Sequence, residues 1–376
     1  MSGPGVQVWV YPEELDAVEP ARLAEQVLEL GCDTISLALA YHRARRVLPR
    51  QGRVSLSPGG AISFTPRPDR YGALVPRPTA PQPLRDAVEA LREACAAAGL
   101  RFHAWLVALH SEPLALAHPD LAARTLDGAP TGFSLCPSSD EALEYVSALV
   151  ADVCEQLEPD GVDLEAALYP AWEPAYTLTL ALEPLSERAA LYGSQCFCPG
   201  CRGLPGLAGL EEPARRAAGP PFGPGGELER PPDEGLARAR AARVERLLAA
   251  VRDAAHAHEA ELCPTASGAP ESARLRGLAP ASVAAADRVL LGLGRLSGRE
   301  LEERLAGLRA LVGDRAVTAS LNWGPERPPG ELAADAERAA AGGASSLALY
   351  NLSLVPEAGL DAFRAAAGAF RAAVAA

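Results

Sequence analysis

Residues 160–170 read DGVDLEAALYP, a turn signal (Asp160-Gly161) that launches an apolar run carrying two carboxylates, Asp163 and Glu165. On a β-strand, residues two apart share a face and stand about 6.6 Å apart along the axis. Acids on an otherwise apolar strand are costly to bury unless they are paired, bound or used in chemistry. Both alternate with Val162 and Leu164. If that apolar pair faces covering helices, the acids face the other way, toward a barrel axis.

Working outward, similar runs recur along the chain, separated by helical patterns. Strands are expected at Val6–Tyr11, Thr34–Ala40, Arg101–His110, within 160–170, and at Glu261–Ser267, Arg288–Leu293, Ala316–Trp323 and Ser345–Leu352. Helical periodicity covers about 21–30, 83–98, 140–157, 234–260, 271–285, 297–311, 329–341 and 357–375. Residues 46–82 are rich in Pro and Gly, with a hairpin expected around Gly59-Gly60. Each strand is apolar or nearly so, as parallel strands covered by helices are. Eight such strands fit a single (β/α)8 TIM barrel of α/β class over residues 1–376, with a long irregular insertion at 170–234 after the fourth strand. An open doubly wound sheet is the alternative, but no glycine-rich dinucleotide fingerprint follows the first strand.

Composition narrows the function. No run reaches the roughly 18 uninterrupted apolar residues of a membrane span. The N-terminal MSGPGVQVWVYP has no basic region leading into a long apolar stretch, so a cytoplasmic location is expected. A net charge of −13 argues against a nucleic-acid partner, which needs basic patches to neutralise phosphates. All 35 basic residues are arginine. Without lysine the chain has no Schiff-base, PLP-binding or P-loop lysine.

In a barrel, chemistry gathers at the C-terminal ends of the strands. Those ends offer Tyr11, Glu13 and Glu14; Tyr41, His42 and Arg43; His103, Trp105, His110 and Glu112; Asp163, Glu165, Tyr169 and Trp172; Thr265 and Ser267; Asn322 and Trp323; and Tyr350 and Asn351. Aromatic faces among carboxylates and amides suit a sugar, whose ring stacks and whose hydroxyls demand donors and acceptors. Tyr41, Trp105, Trp323 and Tyr350 are the expected platform, with His42, His103, His110 and Asn351 as polar readers. Glu165 is the expected acid/base and Asp163 its partner, acting as nucleophile or raising the proton affinity of Glu165 by like-charge coupling. Two other readings stand beside glycoside hydrolysis. One is a sugar-binding barrel without chemistry. The other is a metal-dependent sugar isomerase or epimerase drawing on His103 or His110, although the acids form no obvious octahedral set.

DGVDLEAALYP resembles the fourth-strand signature of glycoside-hydrolase-like (β/α)8 barrels, and FHAWLV, residues 102–107, is similar to their third-strand pattern. Leu135-Cys136-Pro137 also resembles the segment preceding their fourth strand; the likeness is best over residues 100–202. It implies a barrel and a carbohydrate-related role more than a named reaction; with the residue reading above, the expected activity is hydrolysis of a small carbohydrate or glycoside, with no cofactor required for the chemistry. Against chitinase-type hydrolases there is a departure, because Ala167 stands where their catalytic Glu would be. Against hydrolases that carry a second carboxylate on strand seven, this chain has Asn322-Trp323. Asp163, Glu326 and Glu112 are the remaining candidates for the second acid.

The stretch 195–202 reads QCFCPGCR. Three thiolates in the C-x-C-x-x-C spacing of Cys196, Cys198 and Cys201 are expected as ligands of a structural zinc, with Cys136 or a histidine as fourth ligand. Reduced packing and a C-x-x-C disulfide are the alternatives.

Overall fold

Eight parallel strands close into a ring in the computed structural model, which describes residues 5–170, 195–211, 234–328 and 330–376. They are β1 (Val6–Val10), β2 (Thr34–Tyr41), β3 (Arg101–Val107), β4 (Gly161–Glu165), β5 (Glu261–Ser267), β6 (Arg288–Gly294), β7 (Ala316–Asn322) and β8 (Ser346–Tyr350). Because β1 pairs with both β2 and β8, the ring has no open edge. A helix follows each strand: α1 (Pro20–Glu29), α2 (Gln82–Ala98), α3 (Asp140–Leu157), α4 (Glu234–His256), α5 (Pro270–Leu275), α6 (Gly298–Val312), α7 (Glu331–Ala341) and α8 (Glu357–Ala375). The fold is the expected (β/α)8 barrel. Its main core lies between strands and helices, where Val8, Ile35, Leu37, Val162, Leu164, Leu291 and Leu347 are fully buried.

A repeated aspartate sets the register at the base of the barrel. Asp33, Asp160 and Asp287 each precede an even-numbered strand. Each carboxylate accepts the amide N–H at the start of the preceding strand: Val6, Phe102 and Leu262 respectively. The aspartate's own N–H returns a bond to the carbonyl of that same residue. Asp160 is therefore more than half of a turn signal. It joins β3 to β4 by two hydrogen bonds and fixes which residues of β4 point inward. Gly161 has a second duty, since a Cβ there would stand 2.7 Å from the His103 imidazole.

Two local expectations are corrected. The hairpin in the β2–α2 connection lies at Ala44–Leu48 and Arg53–Ser57, with its tip at Gly52 (φ +62), rather than around Gly59-Gly60. Gly59-Gly60 instead turns the chain so that Ala61–Ile62 runs antiparallel to the end of β2. The helix after β5 stops at Leu275, not near residue 285. Gly277 sits at φ +98, and a Cβ there would press on Val244 and the Arg240 carbonyl, so the alanine-rich run that follows forms turns. The expected insertion is described over residues 195–211, which contain a short helix at Pro199–Arg202. Trp172 lies outside the described residues.

Candidate active site

A cavity of about 370 Å³ opens at the C-terminal ends of the strands. It falls at the small end of the volumes that hold small ligands. Its position follows from how unevenly the barrel is filled. On the β1–β3 and β8 side, Trp9, Tyr11, Tyr41, Trp105 and Tyr350 pack in one cluster of edge-to-face and tilted rings, with Trp9 and Trp105 centred 4.2 Å apart. On the opposite side β6 offers Gly292 and Gly294 at the positions that follow Leu290, while β5 and β7 contribute Ala266, Ser267 and Ser320. Small residues leave the space that the aromatics occupy elsewhere.

Glu165 is the one carboxylate lining this cavity among the described residues. It ends β4, opposite Val107 of β3, and its Oε2 accepts a hydrogen bond from Trp105 Nε1 at 2.8 Å. The indole thereby fixes the rotamer of the acid. Directly after it, Ala166 adopts φ +58, a left-handed conformation that costs a non-glycine residue about 1–2 kcal/mol. Strain of this kind concentrates where surrounding contacts hold a functional group in place.

Polar groups converge on the same space. His110 is buried and lines the wall; burial, with the nearby His42 and Arg276, pushes its imidazole down to about 3. It is therefore neutral at ordinary pH and suited to exchanging hydrogen bonds with hydroxyls. Arg276 is buried beside it, its Nε donating to the Tyr169 carbonyl at 2.8 Å while its own carbonyl accepts from the Tyr169 amide. Asn322, Thr265, Ser267 and Ser320 complete the polar rim. Behind Tyr350, the Tyr11 hydroxyl lies 2.6 Å from that of Tyr350 and 3.0 Å from that of Tyr41. Burial raises all three phenols above their usual range, so they stay protonated.

Asp163 points inward but sits beneath this cavity, not in its wall. It is wholly buried and accepts from Gln7 Nε2 at 3.0 Å, Ser36 Oγ at 2.5 Å and His103 Nδ1 at 3.3 Å. Burial alone would raise its carboxyl; the charge and hydrogen bond of His103, then Ser36 and Arg288, outweigh it and hold the group below the usual range. A carboxylate with three donors and a depressed pKa carries no proton at ordinary pH, so it is an anchor across β1–β4 and no general acid.

The other expected residues divide between the wall and its surroundings. His110 and Tyr350 line the cavity with Glu165. Trp105 and His103 are fully buried one layer back, and Tyr41 belongs to the aromatic cluster behind Tyr350. His42 stacks on Tyr41 at 4.1 Å between ring centroids and meets the Arg43 carbonyl through Nδ1; burial takes it down to about 4. Asn351 is buried and uses Oδ1 to cap the turn at Ser353. Trp323 lies in a separate cleft with Pro325, Arg327 and Leu332. Glu112 pairs with Arg43 at 2.9 Å, and Glu326 is exposed and pairs with Arg295 at 2.8 Å. Glu13 and Glu14 pair with Arg46 and Arg50, pinning the 44–57 hairpin over the aromatic side.

Sequence reasoning missed Trp9, Arg276 and the glycines of β6. Trp9 carried a signal, being two residues before Tyr11 and so on the same face of β1. Arg276 carried none, because it follows a short helix and reaches the cavity only through tertiary packing.

Among the described residues two groups could hold a metal. One is His103, Asp163 and Cys263, buried beneath the cavity. The other is Cys136, Cys196, Cys198 and Cys201, whose sulfurs all lie within 4.8 Å of one another. Neither group lines the cavity.

Fold and cavity together define a (β/α)8 barrel with a carboxylate-bearing mouth. No protein-family model matches the sequence, and no curated protein matches it. Solved structures with a similar fold include glycoside hydrolases at low identity. The catalytic domain of β-amylase from Paenibacillus polymyxa aligns at TM-score 0.57 and 10% identity, covering 97% of this chain and 98% of that one. The β-galactosidase from Marinomonas ef1 aligns at 0.56 and 10%, over 97% of this chain and 59% of that one. The α-L-fucosidase isoenzyme 2 from Paenibacillus thiaminolyticus aligns at 0.54 and 13%, over 98% and 49%. The chain thus spans about half the length of the fucosidase. At such identities the likeness concerns the fold.

Proposed function

We propose that this barrel is a glycoside hydrolase that acts on a small carbohydrate or glycoside, with Glu165 as the general acid/base. The observation that carries the reading is the placement of Glu165: at the end of β4, in the wall of the mouth cavity, oriented by Trp105 and sharing that wall with the neutral His110, the Arg276 guanidinium and Asn322. In the protonated form Glu165 gives its proton to the leaving-group oxygen as the glycosidic bond breaks; as carboxylate it takes one from the incoming water. Trp9 and Tyr350 present aromatic surface to the sugar ring, while His110, Arg276 and Asn322 meet its hydroxyls. Asp163 acts from below as a positioning residue, holding β4 in register and placing a fixed negative charge on the same face as Glu165.

A second reading, a sugar-binding barrel without turnover, is favoured by one observation. The described wall of the cavity holds a single carboxylate, whereas the common glycosidase mechanisms use two. Hydrolysis measured over a panel of aryl glycosides, alongside calorimetric sugar binding, separates the two. Turnover lost in Glu165→Gln with sugar binding kept supports hydrolysis. Binding without turnover in the unaltered protein supports the binding module.

A further inference from the structure

Cys136 precedes α3 at the end of the β3–α3 connection, whereas Cys196, Cys198 and Cys201 come from the segment between β4 and α4. The fold brings Cys136 against the other three, 60 to 65 residues away in sequence, and buries all four thiols to 5% exposure or less. Cys136 Sγ lies 3.5 Å from the sulfurs of Cys198 and Cys201 and 3.7 Å from that of Cys196. Four sulfurs at about 2.3 Å from one zinc stand about 3.8 Å from each other in a tetrahedron. The spacing therefore matches a tetrathiolate shell and is far longer than the roughly 2.05 Å of a disulfide.

Donors around the sulfurs point the same way. The Arg124 amide donates to Cys196 Sγ at 3.3 Å, the Ser138 amide to Cys136 Sγ at 3.5 Å, and the Ser138 hydroxyl lies 3.3 Å from Cys201 Sγ. Groups that surround metal-bound thiolates make such hydrogen bonds and stabilise their charge. We propose that Cys136, Cys196, Cys198 and Cys201 bind one zinc ion, and that this closed site clamps the wall of the mouth cavity. The coupling has a short physical route. The Ser138 hydroxyl that contacts Cys201 also meets the Tyr169 hydroxyl at 2.7 Å, and the Tyr169 backbone holds Arg276 through two hydrogen bonds. Arg240 stacks on the Tyr169 ring at 4.5 Å and binds the Gln195 side chain next to Cys196. With four protein ligands the ion has no open position, so its role is to hold structure.

The inference does not depend on the glycosidase reading, and its test does not use turnover. The full-length protein, purified without an affinity tag that binds metal, is analysed for metal content and exchanged with cobalt(II). One zinc per chain, and the intense visible and near-ultraviolet bands of tetrahedral thiolate-bound cobalt, are expected. Cys198→Ser should weaken these bands, while Cys32→Ala, far from the cluster, should keep them. If Cys198→Ser fails to fold, the metal content and cobalt spectrum of the unaltered protein still decide. Hydrogen exchange after zinc removal should rise at least several-fold in peptides covering 134–140, 166–170 and 274–278, with β7 and β8 unchanged. Absence of zinc and of a thiolate–cobalt spectrum overturns the site. Bound zinc whose removal leaves exchange at 166–170 and 274–278 unaltered overturns the clamp.

Discussion

Replacing Asp163 separates scaffold from chemistry on β4. Its carboxylate satisfies three buried donors from three other strands: Gln7 on β1, Ser36 on β2 and His103 on β3. Asp163→Ala strands all three. Each orphaned donor costs about 1–3 kcal/mol, and removal of one partner from a buried charged network typically costs about 3–5 kcal/mol in total. That is a large share of the roughly 5–15 kcal/mol by which a domain is stable. Asp163→Asn keeps the volume and one acceptor oxygen but turns an NH2 group toward a donor, and should cost about 1–3 kcal/mol. Urea denaturation followed by circular dichroism reads both variants as a fall in midpoint at constant slope. The sign with pH is fixed by the depressed carboxyl. Its contribution is full above the ordinary carboxylate range and is lost as pH falls through the lower folded value, so the gap between wild type and Asp163→Ala should narrow in acid. A variant within about 0.5 kcal/mol of wild type at neutral pH would refute the anchor role assigned from the hydrogen bonds.

Two further outcomes follow from the cavity. His110 has a folded pKa of about 3 against an ordinary 6.5, so the unfolded chain binds the extra proton between these values. Stability should therefore fall as pH drops through 6.5 toward 3, by about 2 kcal/mol at pH 5. His110→Leu should remove that part of the pH dependence; equal losses between pH 7 and pH 5 in variant and wild type would contradict it. Gly292→Val fills the open side of the barrel, where an added Cβ would stand 3.0 Å from that of Ser267. Sugar affinity measured by calorimetry should fall roughly tenfold or more, a change of about 1.4 kcal/mol. Unchanged affinity would move the sugar elsewhere, for example to the cleft beside Trp323.

The barrel was legible because its cause is repetitive. Buried parallel strands need apolar residues on both faces and a helix between each pair, and that alternation is written eight times. Boundaries agreed best where local chemistry is strong. α3 starts where the Ser139 hydroxyl accepts the Ala142 amide, and it ends at Leu157 as the sequence pattern predicted. The 44–57 hairpin was obscured because its apolar residues Val47, Val54 and Leu56 are exposed while Arg46 is buried against Tyr11 and Tyr41. That inverts the usual pattern. At the site, strand parity correctly turned Asp163 and Glu165 inward. Parity alone does not report depth along the axis, and depth is what separates the anchor from the acid of the cavity wall. Aromatic residues at strand ends likewise read as one platform, although tertiary packing divides them between the wall, the cluster behind it and the cleft of Trp323. The small residues of β6 carry the cavity by what they lack, which a search for functional side chains overlooks.

The central claim rests on Glu165. The most direct measurement compares Glu165→Gln with wild type for both sugar binding and glycoside turnover on the same ligand. Turnover reduced about 10²–10⁴-fold, with affinity and fold retained, is the predicted result. Turnover equal to wild type would contradict it and remove Glu165 from the mechanism.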